Sequence, residues 1–285
     1  MRAFLYFTVT AMFWGLNFQL AKMMLQEVRF MEAGFWRYLF GIIPLFLFAY
    51  KKLPPLSVIK DNLKGILLIG VVGLFGCNLF FFLGMRDSPA INGALIMSIT
   101  PALTLLFSNL ILKTPLKTQQ LVGVFISFIG VFYLILKGNL SAFSEIEFSW
   151  SDLLLLTGGS FFAIQNVWVK KYGGQLSNTN FTFFTNLFCM LSFMLLLPLF
   201  GMNTVTTYST YFWLAAIGIG FFGTSVAYYL WNAGIQLTSA NQAGIFINVV
   251  TLFAAFFSVI FGETLYSYHL ISGVFVIIGV LIIMK

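Results

Sequence analysis

The chain has 285 residues, of which 60% are hydrophobic and 8% charged, with a mean hydropathy of +0.97. That balance excludes a water-soluble domain and makes lipid the solvent for most of the chain. The formal charge of +7 is carried by basic residues dispersed in twos and threes at the ends of apolar runs, which is a topology signal and not a nucleic-acid surface.

A helix needs roughly 20 apolar residues to cross a bilayer. Ten such runs are expected, at 3–21, 33–50, 63–85, 91–112, 118–136, 152–169, 179–200, 209–232, 240–261 and 265–284. The Met1-Arg2 start reads as the head of a retained first span, because no small-residue cleavage site follows before Lys22. Between the fifth and sixth runs, 137–151 is the longest and most polar connection, with Ser141, Ser144, Glu145 and Glu147. Cys77 and Cys189 stand alone inside apolar runs, without the spacing of a metal site or redox pair, and read as small buried residues.

The chain uses one plan twice. Gly73-Leu74-Phe75-Gly76, the pair Phe81-Phe82, the turn Arg86-Asp87-Ser88-Pro89 and the apolar run from Ala90 return as Gly220-Phe221-Phe222-Gly223, Tyr228-Tyr229, Thr238-Ser239 and the run from Ala240. The offset is 147 before the turn and 150 after it, where Gly123-Val124-Phe125 matches Gly273-Val274-Phe275. Upstream, at an offset of 148, Trp14 matches Phe162, Asn17 matches Gln165, Phe35 matches Phe183 and Lys22 matches Lys170. Residues 1–140 and 150–285 are therefore expected to be two copies of a five-span unit. Five is odd, so the second copy enters the membrane from the opposite side. The fold class expected is an all-α membrane protein of ten transmembrane helices in two inverted five-helix repeats, an arrangement that lets one plan build two gates. With the N-terminus inside, ten basic residues are cytoplasmic and five are not, so both termini are expected in the cytoplasm.

Polar residues inside spans are costly and usually face a bundle interior or a watery cavity. Asn17, Asn78, Ser98 and Thr100 in the first half, with Gln165 and Asn248 in the second, are the candidates for such a cavity, carried by spans 1, 3, 4, 6, 8 and 9. Trp14, Phe82, Tyr228 and Tyr229 could add an aromatic wall for an amphipathic substrate. The alternative is that the amides and hydroxyls only tie helices together and that the rings face lipid. Glycines at 70, 73 and 76, and at 218, 220 and 223, permit close helix approach, and Pro101 could kink span 4. Arg37 and Glu263 lie within about a turn of span ends, where Glu263 has a structural reading and Arg37 stays open. No enzyme motif or ligand spacing around His269, the single histidine, suggests catalysis, a metal or another cofactor. A carboxylate deep enough to carry protons across the middle of the membrane is not expected either, since Glu27 and Glu32 precede span 2 and the other acids fall in loops or at span ends.

Nearly the whole chain resembles tandem EamA-type domains of the drug/metabolite transporter superfamily. The resemblance rests on Trp14-Gly15-Leu16-Asn17-Phe18, Phe35-Trp36-Arg37-Tyr38, the Ala90, Pro101 and Gly123 region, Ala240, Gly262-Glu263 and Gly273. Lys113 stands where the second half has Glu263, a departure from strict duplication. The resemblance implies a central cavity with spans 5 and 10 at the periphery. The expected activity is export of a small metabolite, an amino acid or related amphipathic solute, by alternating access across an inner or plasma membrane, by a monomer or homodimer. A nucleotide-sugar or lipid-linked substrate carrier is the alternative within transport, and a membrane enzyme or structural subunit the alternative outside it.

Overall fold

A computed structural model describes residues 2–115, 117–138, 149–201 and 208–284. The described residues form ten helical segments: α1 (Arg2–Leu25), α2 (Phe30–Ala49), α3 (Leu56–Met85), α4 (Ala90–Leu112), α5 (Thr118–Ile135), α6 (Trp150–Tyr172), α7 (Asn178–Phe200), α8 (Thr210–Leu237), α9 (Ala240–Ile260) and α10 (Ser267–Met284). Six are long and apolar enough to cross a membrane by length and composition: α2, α3, α4, α6, α7 and α8. Shorter apolar stretches lie in α5, α9 and α10. The expected polar connection, with Ser141, Ser144, Glu145 and Glu147, lies outside the described residues.

Helix starts differ from the apolar runs in an informative way. α3 begins at Leu56, seven residues before the run expected from 63, because Ser57, Lys60 and Asp61 turn to the exterior on an amphipathic first stretch. α2 begins at Phe30 and not at 33, so Glu32 lies in its first turn instead of before it. That acid is buried at 1% exposure, where it accepts hydrogen bonds from the Trp36 indole at 3.2 Å and from the Tyr208 hydroxyl.

Two helices change pitch midway. Leu68–Phe75 of α3 and Phe221–Val226 of α8 are wound as π-helix, a rare geometry that concentrates at functional positions. α4 is interrupted at Ser98–Ile99, between Ala90–Met97 and Thr100–Leu112. Pro101 explains the break, since it has no N–H to offer the Met97 carbonyl four residues back. The Thr100 hydroxyl donates to that carbonyl instead, at 2.5 Å.

The packing order is unchanged when the halves are exchanged. α1 lies against α8 and α9, and α6, its counterpart, against α3 and α4; α2 packs on α7, and α5 on α10. Small residues allow the closest approaches. A Cβ on Gly223 of α8 would overlap the Asn17 amide of α1, and one on Gly73 of α3 would lie 2.8 Å from Gln165 Cβ of α6. Each half thus seats its first-helix amide on a glycine of the other half.

Gly223→Val is expected to destabilise the protein by about 1–3 kcal/mol through overpacking. Gly273→Ala, whose added methyl meets nothing nearer than Leu95 at 3.6 Å, should be close to neutral. Thermal unfolding of the two variants in detergent measures the difference.

Candidate functional site

Where the two halves meet, seven helices surround a cavity of about 70 Å³. Trp14, Asn17 and Phe18 come from α1, Arg37 from α2, Cys77, Asn78 and Phe81 from α3, and Ala94, Met97 and Thr100 from α4. The second half supplies Phe162 of α6, Tyr228 of α8, and Ile247, Val250 and Thr251 of α9. The broken turn of α4 is thereby one wall, and its Met97 and Thr100 border the space.

Five of the ten residues singled out from sequence line this cavity: Trp14, Asn17, Asn78, Thr100 and Tyr228. Trp14 is held by its indole N–H, which donates to the Gly223 carbonyl at 2.9 Å, and its ring meets Phe162 and Tyr228 edge-on at 5.3 and 5.2 Å. The Asn78 amide donates to the Tyr38 hydroxyl at 2.7 Å and reaches the Tyr228 hydroxyl at 3.5 Å, tying α3 to α2 and α8. Among the described residues Asn17 has no hydrogen-bond partner for its side chain.

The other five lie elsewhere. Phe82 is packed behind the cavity wall at 0% exposure, and Gln165 is buried against Gly73 with Oε1 unpartnered. Ser98 and Asn248 border a neighbouring, mostly apolar cavity of about 200 Å³ between α4, α9 and α10. Tyr229, one residue and about 100° around the helix from Tyr228, turns outward beside Pro44, Lys52 and Ser225.

Arg37 is the residue whose importance the apolar runs concealed. With α2 starting at Phe30, its Cα lies about 10 Å along the helix, not within a turn of the end, and its side chain is only 4% exposed. Its Nε donates to Thr224 Oγ1 at 3.0 Å, and the guanidinium lies 5.7 Å from the Tyr38 ring centre and 6.0 Å from that of Phe82. Among the described residues it has no carboxylate partner. The signal available in sequence was Glu32, which the helix admits by pairing it with Trp36 and Tyr208.

The ends of the bundle carry different fastenings. Pro89 precedes α4 and offers no side-chain cap, so the first amides of that helix need an acceptor from elsewhere. Glu263, from the connection after α9, supplies it: its carboxylate accepts from Ala90 N at 2.9 Å and Ile91 N at 3.2 Å, and Lys22 Nζ of α1 is 3.6 Å away. The reach is set by Gly262 at φ +85, where the Glu263 and Gly262 amides bond back to the Ser258 and Val259 carbonyls in a left-handed helix stop. His269 and Asn92 add a bond of 2.9 Å at the same end. At the other end Lys170, the counterpart of Lys22, points its ammonium at the carbonyls of Ile235, Gln236 and Thr238 at the end of α8.

Comparison with known proteins identifies this architecture. The model of the EamA-like transporter family matches residues 1–136 and again 149–285. The chain belongs to the EamA-like transporter family. Among its relatives are the uncharacterized transporter YyaM of Bacillus subtilis (strain 168), 28% identical over 277 residues that cover 95% of this chain and 90% of YyaM, and the uncharacterized transporter YrdR of the same organism, 26% identical and covering 96% and 88%. A crystal structure aligns with this EamA-like chain at a TM-score of 0.72 and 17% identity over 98% of the chain and 95% of the other, a likeness of fold. Apolar helices and family membership together make this a membrane protein and a transporter.

The Glu263 clasp sets a pH dependence. Burial works to raise the Glu263 carboxyl, but the hydrogen bonds from Ala90 and Ile91, with Ser258 and Lys22, outweigh it and hold the group below its ordinary 4.5. A carboxylate stabilised in this way contributes fully above pH 4.5 and loses its contribution as pH falls through the lowered value. Glu263→Gln is expected to lower stability by about 1 kcal/mol at pH 7 and by progressively less below the usual carboxylate range. Unfolding of both proteins across pH 3 to 7, roughly the window that brackets carboxylate titration, measures this.

Proposed function

We propose that the chain is a ten-span carrier of an inner or plasma membrane, built as two inverted five-helix repeats at residues 1–140 and 150–285 with both termini cytoplasmic. In this reading it exports a small amphipathic metabolite, an amino acid or a close relative, by alternating access. The observation that carries the reading is the cavity itself. Helices of both halves line it with aromatic rings, two amides, the hydroxyls of Thr100, Thr251 and Tyr228, and, among the described residues, a single cation, a mixture suited to a solute with a polar head and an apolar body.

The exchange symmetry of the helix pairs supports the inverted arrangement, and the ten-to-five distribution of basic residues supports the orientation. Alternation needs two ends that open in turn. One end is fastened by Glu263 between α9, α4 and α1, while at the other the counterpart of Glu263 is Lys113 and the fastening runs from Lys170 to α8. The π-wound turns of α3 and α8 and the break in α4 lie where such helices would flex.

Asn17 and Gln165 are paired by position, yet only Asn17 borders the cavity. Asn17→Ala is expected to cut export at least about tenfold, the scale set by losing one or two buried hydrogen bonds to a solute, with folded yield retained. Gln165→Ala should act more weakly in the same direction. The readout is the metabolite content of medium from cells with and without each variant. Unchanged export by both would defeat the assignment of the cavity as the transport path.

A further inference from the structure

Arg37 presents a problem of charge that the protein alone leaves unsolved. A guanidinium placed well inside an apolar bundle is costly unless it is paired. Here the compensation consists of one hydroxyl and two ring faces, Thr224, Tyr38 and Phe82. Thr224 accepts only the Nε–H, and the remaining four N–H bonds of a guanidinium have no partner among the described residues. The side chain borders the central cavity, and among the described residues it is the one charged group that does so.

We propose that Arg37 is the carboxylate-binding residue of the cavity, and that the substrate is a small solute bearing a single carboxylate. This rests on the carrier reading above and names its substrate class. The Thr224 bond fixes the guanidinium by its Nε edge and leaves the two terminal nitrogens free, the fork that a carboxylate fills with two parallel hydrogen bonds. Charge selects the class further. One bound carboxylate neutralises the guanidinium, whereas a phosphate dianion would leave an uncompensated negative charge in an apolar surround with no second cation among the described wall residues. Among the described residues no acid lines the cavity, so an ammonium on the same solute is held by neutral acceptors, among which the unpartnered Asn17 amide is the nearest in kind. The rings of Trp14, Phe162 and Tyr228 take the apolar remainder.

The test uses the purified full-length chain and paired probes: alanine, leucine, phenylalanine and 3-phenylpropionate, each beside its own carboxamide, with inorganic phosphate as the dianion. Ligand-induced shifts in unfolding temperature at pH 7 give binding, and counterflow of the same solutes in liposomes gives transport. At least one carboxylate is expected to stabilise the protein, with its carboxamide weaker by about tenfold or more and phosphate without effect. Arg37→Gln should reduce the carboxylate to the level of its amide, and Arg37→Lys should retain part of the difference. If Arg37→Gln does not fold, Thr224→Val, which releases the guanidinium from its fixed orientation, should still weaken the carboxylate several-fold and leave the amide unchanged. The proposal is overturned if no carboxylate in the set stabilises the protein, if carboxylate and amide act alike, or if Arg37→Gln binds as the parent does. Arg37-dependent binding with no flux for any solute would instead count against the carrier reading and leave the carboxylate site standing.

Discussion

Hydrogen bonds that cross from one half of this molecule to the other set how its helices meet. Helices in lipid gain little from burying apolar surface against one another, and they associate through close packing of small residues and through hydrogen bonds between helices. Thr10 donates to the Ala227 carbonyl, Trp14 to that of Gly223, Gln19 to the Ser258 hydroxyl, Arg37 to that of Thr224, and Ser225 back to the Gly41 carbonyl. Individually such bonds in membranes average about 0.6 kcal/mol. Their distribution matters more than their sum, since every one joins a helix before the seam to a helix after it.

That constraint positions the cavity. Asn17 can sit beside Gly223 because the glycine leaves room, and Trp14 is anchored on the same residue's carbonyl. Both sites lie on a π-wound stretch of α8, where the backbone departs from regular helical hydrogen bonding and a carbonyl is available to a side chain. In α4 the missing amide of Pro101 has a similar effect, and the two residues that resolve it, Met97 and Thr100, both border the cavity. Irregular backbone occurs where it lines a space or meets another helix, as an apolar solvent requires.

Much of this was legible in the sequence, and the failures have a common cause. Composition and apolar runs located the helices to within a few residues at most ends, though to seven at the start of α3 and five at the end of α8, and the duplicated glycines and the Asn17 and Gln165 pair marked the contacts between halves. Counting apolar residues, however, placed Glu32 outside α2 and Arg37 near its end, because a run stops at a charge even where a partner allows the helix to continue. Trp36, one turn on, is a local partner, but Tyr208, far along the chain, is the other, and only the fold brings it there. Adjacent aromatics were equally opaque: Phe81 and Tyr228 border the cavity while Phe82 and Tyr229 do not, a consequence of helical rotation that requires knowing which face is inward. Glu263 was expected to be structural, and the partners it finds, the amides at the uncapped start of α4, depend on the fold.

In the carrier we propose, the asymmetry of the two ends sets a preferred closed side. Glu263 satisfies amides and a lysine at one end, whereas at the other the corresponding place is held by Lys113, where strict duplication would have set a second glutamate. The central claim is that the two ends move in opposition about the cavity. It is tested most directly by spin-label distances across each end, between positions 87 and 266 at the Glu263 end and between 113 and 174 at the Lys170 end, in the parent protein and in Glu263→Gln at pH 7. The account predicts that loss of the clasp lengthens the first distance and shortens the second; a lengthened first distance with the second unchanged would contradict it.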